Sequence, residues 1–507
     1  MKIPAPMAAA MPSANPARGS TPRRWKRLAL SLDMRCAFAA LLAVSVAGCA
    51  SVPVAPAPVL QRQAQALDAR RLDDPGLAAA EAQLHLPNTA DAAWTPDRLT
   101  VAAWYFDPRL AQARAGAARA EADAALAAQR ANPTLQLSPE RVFSGGGNLS
   151  PWTIGAALLL PLLHPGEAVA RRDIAAAQTD QARAQAAFAV WHSRERAMAA
   201  LRQVLLARRA QALAQTVATA QADYRDSVQR RVNAGASNRD AELTAELDAQ
   251  RAAANLANRD AQRSGAEHAL ADAVGLPWAA LRLASLAWPQ LEQPPAPSEL
   301  PAAALAQDAA WNRLDLAALL AQYRASAAEL RSASGTRYPT TAVAPGYIYD
   351  QGQRKFTFGI DLELPLFHGA GKRIRAAAAA RDAAAATVLA RQAQILNALD
   401  AARANYAERY RAWQRTLDMA AAARQRLARA RTQRIAGQTD RSQETIARVV
   451  AAQAQLDTVD ALAAALDALG QLEDELQRPL WPASRLALPS ATQPLPAASN
   501  PETAHAH

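Results

Sequence analysis

Two kinds of apolar patterning alternate along the chain. From Glu167 to Asn233 there is no proline, and Trp191, Met198, Leu201, Leu205 and Ala212 recur at helical spacing. A helix over that stretch, about 67 residues at 1.5 Å each, is roughly 100 Å long. No globular domain needs such a rod, so it requires neighbours along its whole length. The other pattern has a period of two. In "FTFGIDLEL" (356–364) Phe356, Phe358, Ile360, Leu362 and Leu364 share one face, and Thr357, Gly359, Asp361 and Glu363 the other. "WTIGAALLL" (152–160) gives Trp152, Ile154, Ala156, Leu158 and Leu160 one face, with Leu159 breaking the opposite side.

These stretches belong to a duplication. Pro133 and Pro139 precede Pro339 and Pro345 by 206 positions, "WTIGAALLLPLLH" (152–164) precedes "FTFGIDLELPLFH" (356–368) by 204, and Gly235 precedes Gly437 by 202. The repeats span 106–284 and 302–480, joined by a Pro-rich linker at 285–301. Each reads helix, hairpin (about 133–162 and about 339–366), very long helix, turn, helix. Pro161 and Pro365 end the strands, because proline interrupts a ladder and resets the backbone. Gly235 and Gly437 supply the positive φ of a sharp helix reversal.

A soluble sheet with its apolar face on a core would also alternate. The helices here are rods with seams of their own, however, and the strands have the roughly 9–11 residues of a tilted membrane strand. Trp152, Tyr347, Tyr349 and Phe356 gather near the loop end, where an aromatic girdle belongs. Four strands cannot close a barrel, and lipid tolerates no open edge. Membrane strands therefore require oligomerisation: eight for a dimer with a filled interior, or twelve for a trimer with a wider lumen. Asp361 and Glu363 facing inward favour the wet lumen.

The apolar share of 51% is largely alanine, with only 5% aromatic residues, which predicts close-packed helices. A net charge of +11 points toward nucleic acid, but residues 1–48 hold seven basic groups against Asp33 alone. The remaining charge is spread along helices and interleaved with acids, a solvated-face pattern, so no nucleic-acid partner is expected. Residues 1–48 read as a signal peptide whose true start is Met34 in an alternative reading. Its apolar stretch, Cys36 to Val46, is too short to span a bilayer. Ala47-Gly48-Cys49 then predicts a lipid on Cys49, opening an anchored segment at 49–105, and Ala50 favours the outer membrane. Without Cys36 no disulfide is possible. Residues 481–507 read as a flexible tail.

Taken together, the Val46–Cys49 lipobox, the duplicated exits Pro161-Leu162-Leu163 and Pro365-Leu366-Phe367, the turns at Gly235 and Gly437 and the repeat start "WNRLDLAAL" (311–319) resemble the outer-membrane efflux protein family, the TolC-like exit ducts. The resemblance covers roughly 106–480. It implies a mainly α fold with a small β part: a homotrimer whose α-helical barrel continues into a twelve-stranded transmembrane β-barrel, four strands per protomer. It also implies docking of a periplasmic adaptor and an inner-membrane pump through the turns, here Gly235, Ala236, Ser237, Gly437, Gln438 and Thr439. Some members close the tip with carboxylates six and nine residues after the second glycine; Gln443 and Ile446 stand there instead. Asp440, Glu444 and Glu242 are the nearby candidates for a gate, and equally for interhelical salt bridges; Asp361 and Glu363 are candidate lumen carboxylates. "LGQLEDELQRPL" (469–480) resembles members serving drug or heavy-metal efflux.

No nucleotide-binding, serine-hydrolase or zinc-protease motif occurs, so neither an enzyme, a metal site nor a cofactor other than lipid is expected. "SGGGN" (144–148) lies between strands and reads as an external loop. His164 and His368 recur at matching positions without a second ligand. A lipid-anchored coiled-coil scaffold and a type I protein secretion duct remain the alternative readings.

Overall fold

The computed structural model describes residues 57, 59–86, 93–143, 150–162, 165–300, 307, 311–363, 370–481 and 486. Cys49, the loop 144–148, His164, Pro365, His368 and the tail beyond 486 lie outside them. The chain divides into two compact units at Ala64, and the second, Gln65–His507, holds the architecture. A helix, α1 (Leu60–Asp68), spans the division.

Three short helices follow, α2 (Pro75–Gln83), α3 (Pro96–Phe106) and α4 (Pro108–Ala127). Each opens on proline, whose fixed φ and missing N–H suit a first helical position. Asp74 caps α2 through the amides of Gly76 and Leu77, and Asp107 caps α4 through Arg109. The first repeat then runs β1 (Thr134–Arg141), β2 (Trp152–Leu162), α5 (Pro165–Asn233) and α6 (Arg239–Val274). After a one-turn helix, α7 (Trp278–Leu281), and a 3₁₀ turn at Pro297–Glu299, the second repeat runs α8 (Leu314–Gly335), β3 (Thr340–Asp350), β4 (Gln353–Glu363), α9 (Ala370–Ile435) and α10 (Arg441–Leu476). The fold is mainly helical with one small antiparallel sheet.

The rods α5 and α9, of 69 and 66 residues, are supported along their length. Nearer the sheet the packing order is α4, α5, α8, α9; nearer the Gly turns it is α6, α5, α10, α9. Two apolar clusters result. In one, α3 lies buried along its length, with Leu99, Trp104 and Phe106 against Met198 and Leu201 of α5 and Leu270 of α6. Trp104 Nε1 also donates to the Val190 carbonyl at 3.0 Å. In the other, Ile395, Tyr406 and Trp413 of α9 meet Leu456, Leu466 and Leu472 of α10. By length and composition α10 could cross a bilayer, but its apolar side serves this cluster.

The segment 49–105, read as lipid-anchored, contributes most of α3 to the core, and Trp94 forms a parallel bridge with Leu286 of the linker. One feature differs from the sequence reading. The predicted α5 stripe holds at Trp191, Met198 and Leu201, but Ala212 is exposed and Ala210 and Ala214 are buried instead. A strict seven-residue spacing drifts about 20° per heptad around a 3.6-residue helix. Farther along, α10 replaces α3 as the partner, so the buried face has turned.

Candidate conducting and docking surfaces

The four strands form one antiparallel sheet in the order β1-β2-β3-β4. The repeats are joined through β2 and β3, with Ile154 opposite Tyr349, Ala156 opposite Tyr347 and Leu160 opposite Val343. Directly opposed residues of an antiparallel pair project to the same side. One row therefore reads Leu137, Ala156, Tyr347, Phe356, and a second, across β2, β3 and β4, reads Leu160, Val343, Ile360. Leu135 and Leu158, and Pro345 and Phe358, add to the same face. Its polar members, Arg141, Thr341 and Arg354, stand at strand ends. This apolar face is open: Phe356 is 75% exposed, Phe358 and Ile360 60% each.

The opposite face reads Gln136, Ala157, Gly346, Thr357 in one row and Glu140, Thr153, Asp350, Gln353 in another. Asp350 accepts from Thr153 Oγ1 at 3.0 Å and pairs with Lys355 at 2.7 Å. Asp361 and Glu363 lie on this polar face, exposed, at the helix-proximal end of β4. Leu159 lies there too, opposite Thr134. A Gln351–Gly352 turn, with φ of +46° and +105°, closes the second hairpin as a tight reversal.

At the other end of the rods the two turns share one construction. Gly235 and Gly437 have φ of +70° and +69°. The next amides, Ala236 and Gln438, reach back to the carbonyls of Arg231 and Gln433 at 2.7 and 2.8 Å, satisfying carbonyls the helix leaves free. Asn238 caps α6 through Ala241 and Asp440 caps α10 through Gln443. Gln438 is exposed; Ser237 and Thr439 are half-buried.

All three candidate gate carboxylates hold arginines of their own chain. Asp440 lies 3.2 Å from Arg231 of α5 and accepts from Ser442 at 2.7 Å. The Ser442 hydrogen bond, with that of the Gln443 amide and the Arg231 charge, outweighs desolvation and lowers its pKa. Glu444 is buried among Arg434, with which it hydrogen-bonds, Arg431 at 3.4 Å and Arg448 at 3.5 Å. Desolvation alone would raise its pKa, but the three arginines together hold it below the usual range. Arg448 continues to Asp223 of α5 at 3.1 Å, and Glu242 pairs with Arg239 at 3.3 Å. Gln443 is exposed and Ile446 half-buried.

Two charged networks escaped the sequence reading. Arg313 and Arg391 both bind Asp315, holding its pKa down at about 2 against the desolvation of the site. Arg313 also reaches Glu475 of α10. Where α5 crosses α10, Glu473 is buried and accepts the amides of Leu480 at 2.6 Å and Trp481 at 2.8 Å. Beside it Glu195 pairs with Arg194. Burial first, then the neighbouring Glu473 charge, raise Glu195 to about 8 despite Arg194 and Arg202. "WNRLD" was legible as the opening of a repeat, but the partners of both networks lie far away in sequence. Among the described residues no cluster of three or more His, Cys, Asp or Glu is placed to hold a metal ion.

No family model matches the sequence, and no curated protein matches it. Solved structures do match. A membrane protein of Pseudomonas aeruginosa aligns with a TM-score of 0.61 at 20% identity, over 75% of this chain and 92% of its own. The outer membrane protein VceC of Vibrio cholerae gives 0.61 at 17% identity, over 76% and 96%. The MtrE outer membrane channel of Neisseria gonorrhoeae, in its open state, gives 0.60 at 17% identity, over 76% and 89%. At these identities the likeness is one of fold.

Proposed function

We propose that this chain, which has the fold of bacterial outer-membrane channels, is the protomer of an outer-membrane export duct. Three copies contribute four strands each to a twelve-stranded barrel, and the rods continue the passage through the periplasm. The duct does no chemistry. It passes drugs or metal ions delivered by an inner-membrane pump through a periplasmic adaptor, which meets the turns at Gly235–Ser237 and Gly437–Thr439. A lipid on Cys49 anchors it to the outer membrane.

The observation that carries this reading is the sheet: four strands with one continuous exposed apolar face and one polar face. A water-soluble scaffold has no use for that face. The test is conductance of the purified full chain in a planar bilayer, beside its mass in detergent. A trimer giving small, cation-leaning openings is the expected result. A monomer or dimer that never conducts overturns the reading.

A further inference from the structure

On the duct reading, β1 and β4 are two edges that lipid does not tolerate unpaired. Closure requires β4 of one copy to pair with β1 of the next, a head-to-tail contact. The helices run in the same lateral order. α4 and α6 flank α5 on the β1 side, α9 flanks α10 on the β4 side, and α6 and α9 do not pack together substantially within one copy. Ring closure therefore brings α9 of one copy beside α6 of the next, antiparallel.

The charges of these two flanks are opposite, although the repeats are copies of one unit. Residues 221–250 carry six carboxylates against four arginines; the equivalent 423–452 carry seven arginines against two carboxylates. On α9 the exposed Arg424, Arg426 and Arg429 have no carboxylate partner among the described residues. No acid occurs in sequence from Met419 to Thr439. On α6, Glu246 accepts from Gln250 one turn on at 2.9 Å and lies 3.8 Å from Arg225, and Asp248 has Arg251 at 3.2 Å, all of them near solvent.

The heights agree as well. Arg231 contacts both Asp440 and Ser442, so the two turns lie level. Glu246 and Asp248 stand eleven and thirteen residues after Gly235, and Arg426 and Arg424 eleven and thirteen before Gly437. Counted from the turns, exposed Leu243, Leu247 and Gln250 on α6 and exposed Arg429, Gln425 and Ala422 on α9 follow one 4-3 spacing, that of a coiled-coil seam. Leu243 and Leu247 are more than half exposed within the single copy.

We propose that α6 and α9 of neighbouring copies form an antiparallel seam at the turn end, with Leu243 and Leu247 at its centre. Residues one step from the seam centre turn about 100° to either side of it, so Arg424 of one copy faces Glu246 of the next on one side and Arg426 faces Asp248 on the other. The polarity makes the contact head-to-tail, since arginine flank against arginine flank repels.

The test is Leu247→Cys with Gln425→Cys in the full chain, oxidised in detergent and run on a non-reducing gel. Within one copy α5 and α10 separate the two positions. The double variant is expected to give covalent dimer and trimer, and each single variant, which also controls for Cys36 and Cys49, monomer only. A double variant that is trimeric by mass yet monomeric on the gel overturns the seam and leaves the duct reading standing; one that is monomeric by mass overturns both. Glu246→Arg is expected to lower the trimer fraction, and adding Arg424→Glu to restore it. A trimer indifferent to both reversals overturns the electrostatic pairing and assigns the arginines to an acidic partner.

Discussion

Around α3, Leu99, Trp104 and Phe106 are shielded almost completely, whereas Phe356, Phe358 and Ile360 on β4 stand more than half exposed. The side chains are of one kind, and each is worth about 1.5–3 kcal/mol when moved out of water. The helical body buries such residues in the way water demands. The sheet displays them side by side across four strands and turns Ser138, its carboxylates and every threonine but Thr341 the other way. Within one copy the sheet is a liability, because exposed apolar patches of this extent mark an interface. With lipid on one side and water on the other, the same sheet is satisfied on both faces. On the duct reading the two regions face different solvents, and matched substitutions separate them.

The largest effect belongs to the body. Leu201→Ala, in contact with the α3 cluster, is expected to cost about 2–5 kcal/mol, because a close-packed site cannot collapse around the lost methyl groups. Ile360→Ala, a comparable deletion on the open face, should cost less than about 1 kcal/mol. Denaturant unfolding of both variants in detergent checks this, and equal losses would mean that a protein core covers the sheet face. The next effect runs the other way. Phe358→Arg is expected to cost about 2–4 kcal/mol in lipid and reduce membrane insertion, since cations are expelled from the bilayer midplane. Thr357→Arg, one residue away on the polar face, should insert normally. If both insert alike, the assignment of the faces fails.

Two carboxylates of the body give smaller effects of opposite sign with pH. Asp315, mostly buried between Arg313 and Arg391, titrates at about 2 when folded and near 3.9 unfolded. Its contribution of about 2 kcal/mol is present above pH ~4 and lost as pH falls through about 2. Asp315→Asn should therefore destabilise at neutral pH and little at pH 2. Glu195 is the reverse, since its folded pKa of about 8 lies above the unfolded value. It binds a proton more tightly when folded, so its contribution is full at pH 4 and lost as pH rises through 8. Glu195→Gln should flatten that decline. Melting temperatures of wild type and variants from pH 2 to 9 test both signs; an Asp315→Asn deficit that persists at pH 2, or an unchanged slope in the Glu195 variant, rejects the corresponding assignment.

The sheet was more legible in the sequence than the core. Period-two alternation in "FTFGIDLEL" states which residues share a face, and duplication marks the strand exits and the two turn glycines twice. In β1, "TLQLSPER" carries only Leu135 and Leu137 ahead of a proline, and only its register against β2 shows that these complete the apolar face. The α3 core was hidden because a helix buried all round has no polar side to give it a period. The approach of Glu195 to Glu473 was hidden because proximity came from two rods crossing, which neither local sequence encodes. At the turns, sequence located Asp440 and Glu444 but could not choose between a gate and a salt bridge. Within one copy both carboxylates hold arginines.

The smallest expected effect tests whether those turns are free. Gly437 has φ of +69°, and an added Cβ would meet nothing within 4 Å. Gly437→Ala should therefore cost only the left-handed backbone penalty, about 1 kcal/mol, with no steric term. Gly235→Ala, at φ +70° and with the same open surroundings, should cost the same. A loss at either turn well above this value in the assembled trimer, measured by detergent-phase unfolding, would mean that a neighbouring copy covers the glycine. Equal small losses keep both turns open to a docking partner. A large loss at one turn alone would make the two repeats inequivalent at their tips, as their opposite charges already are along the flanks.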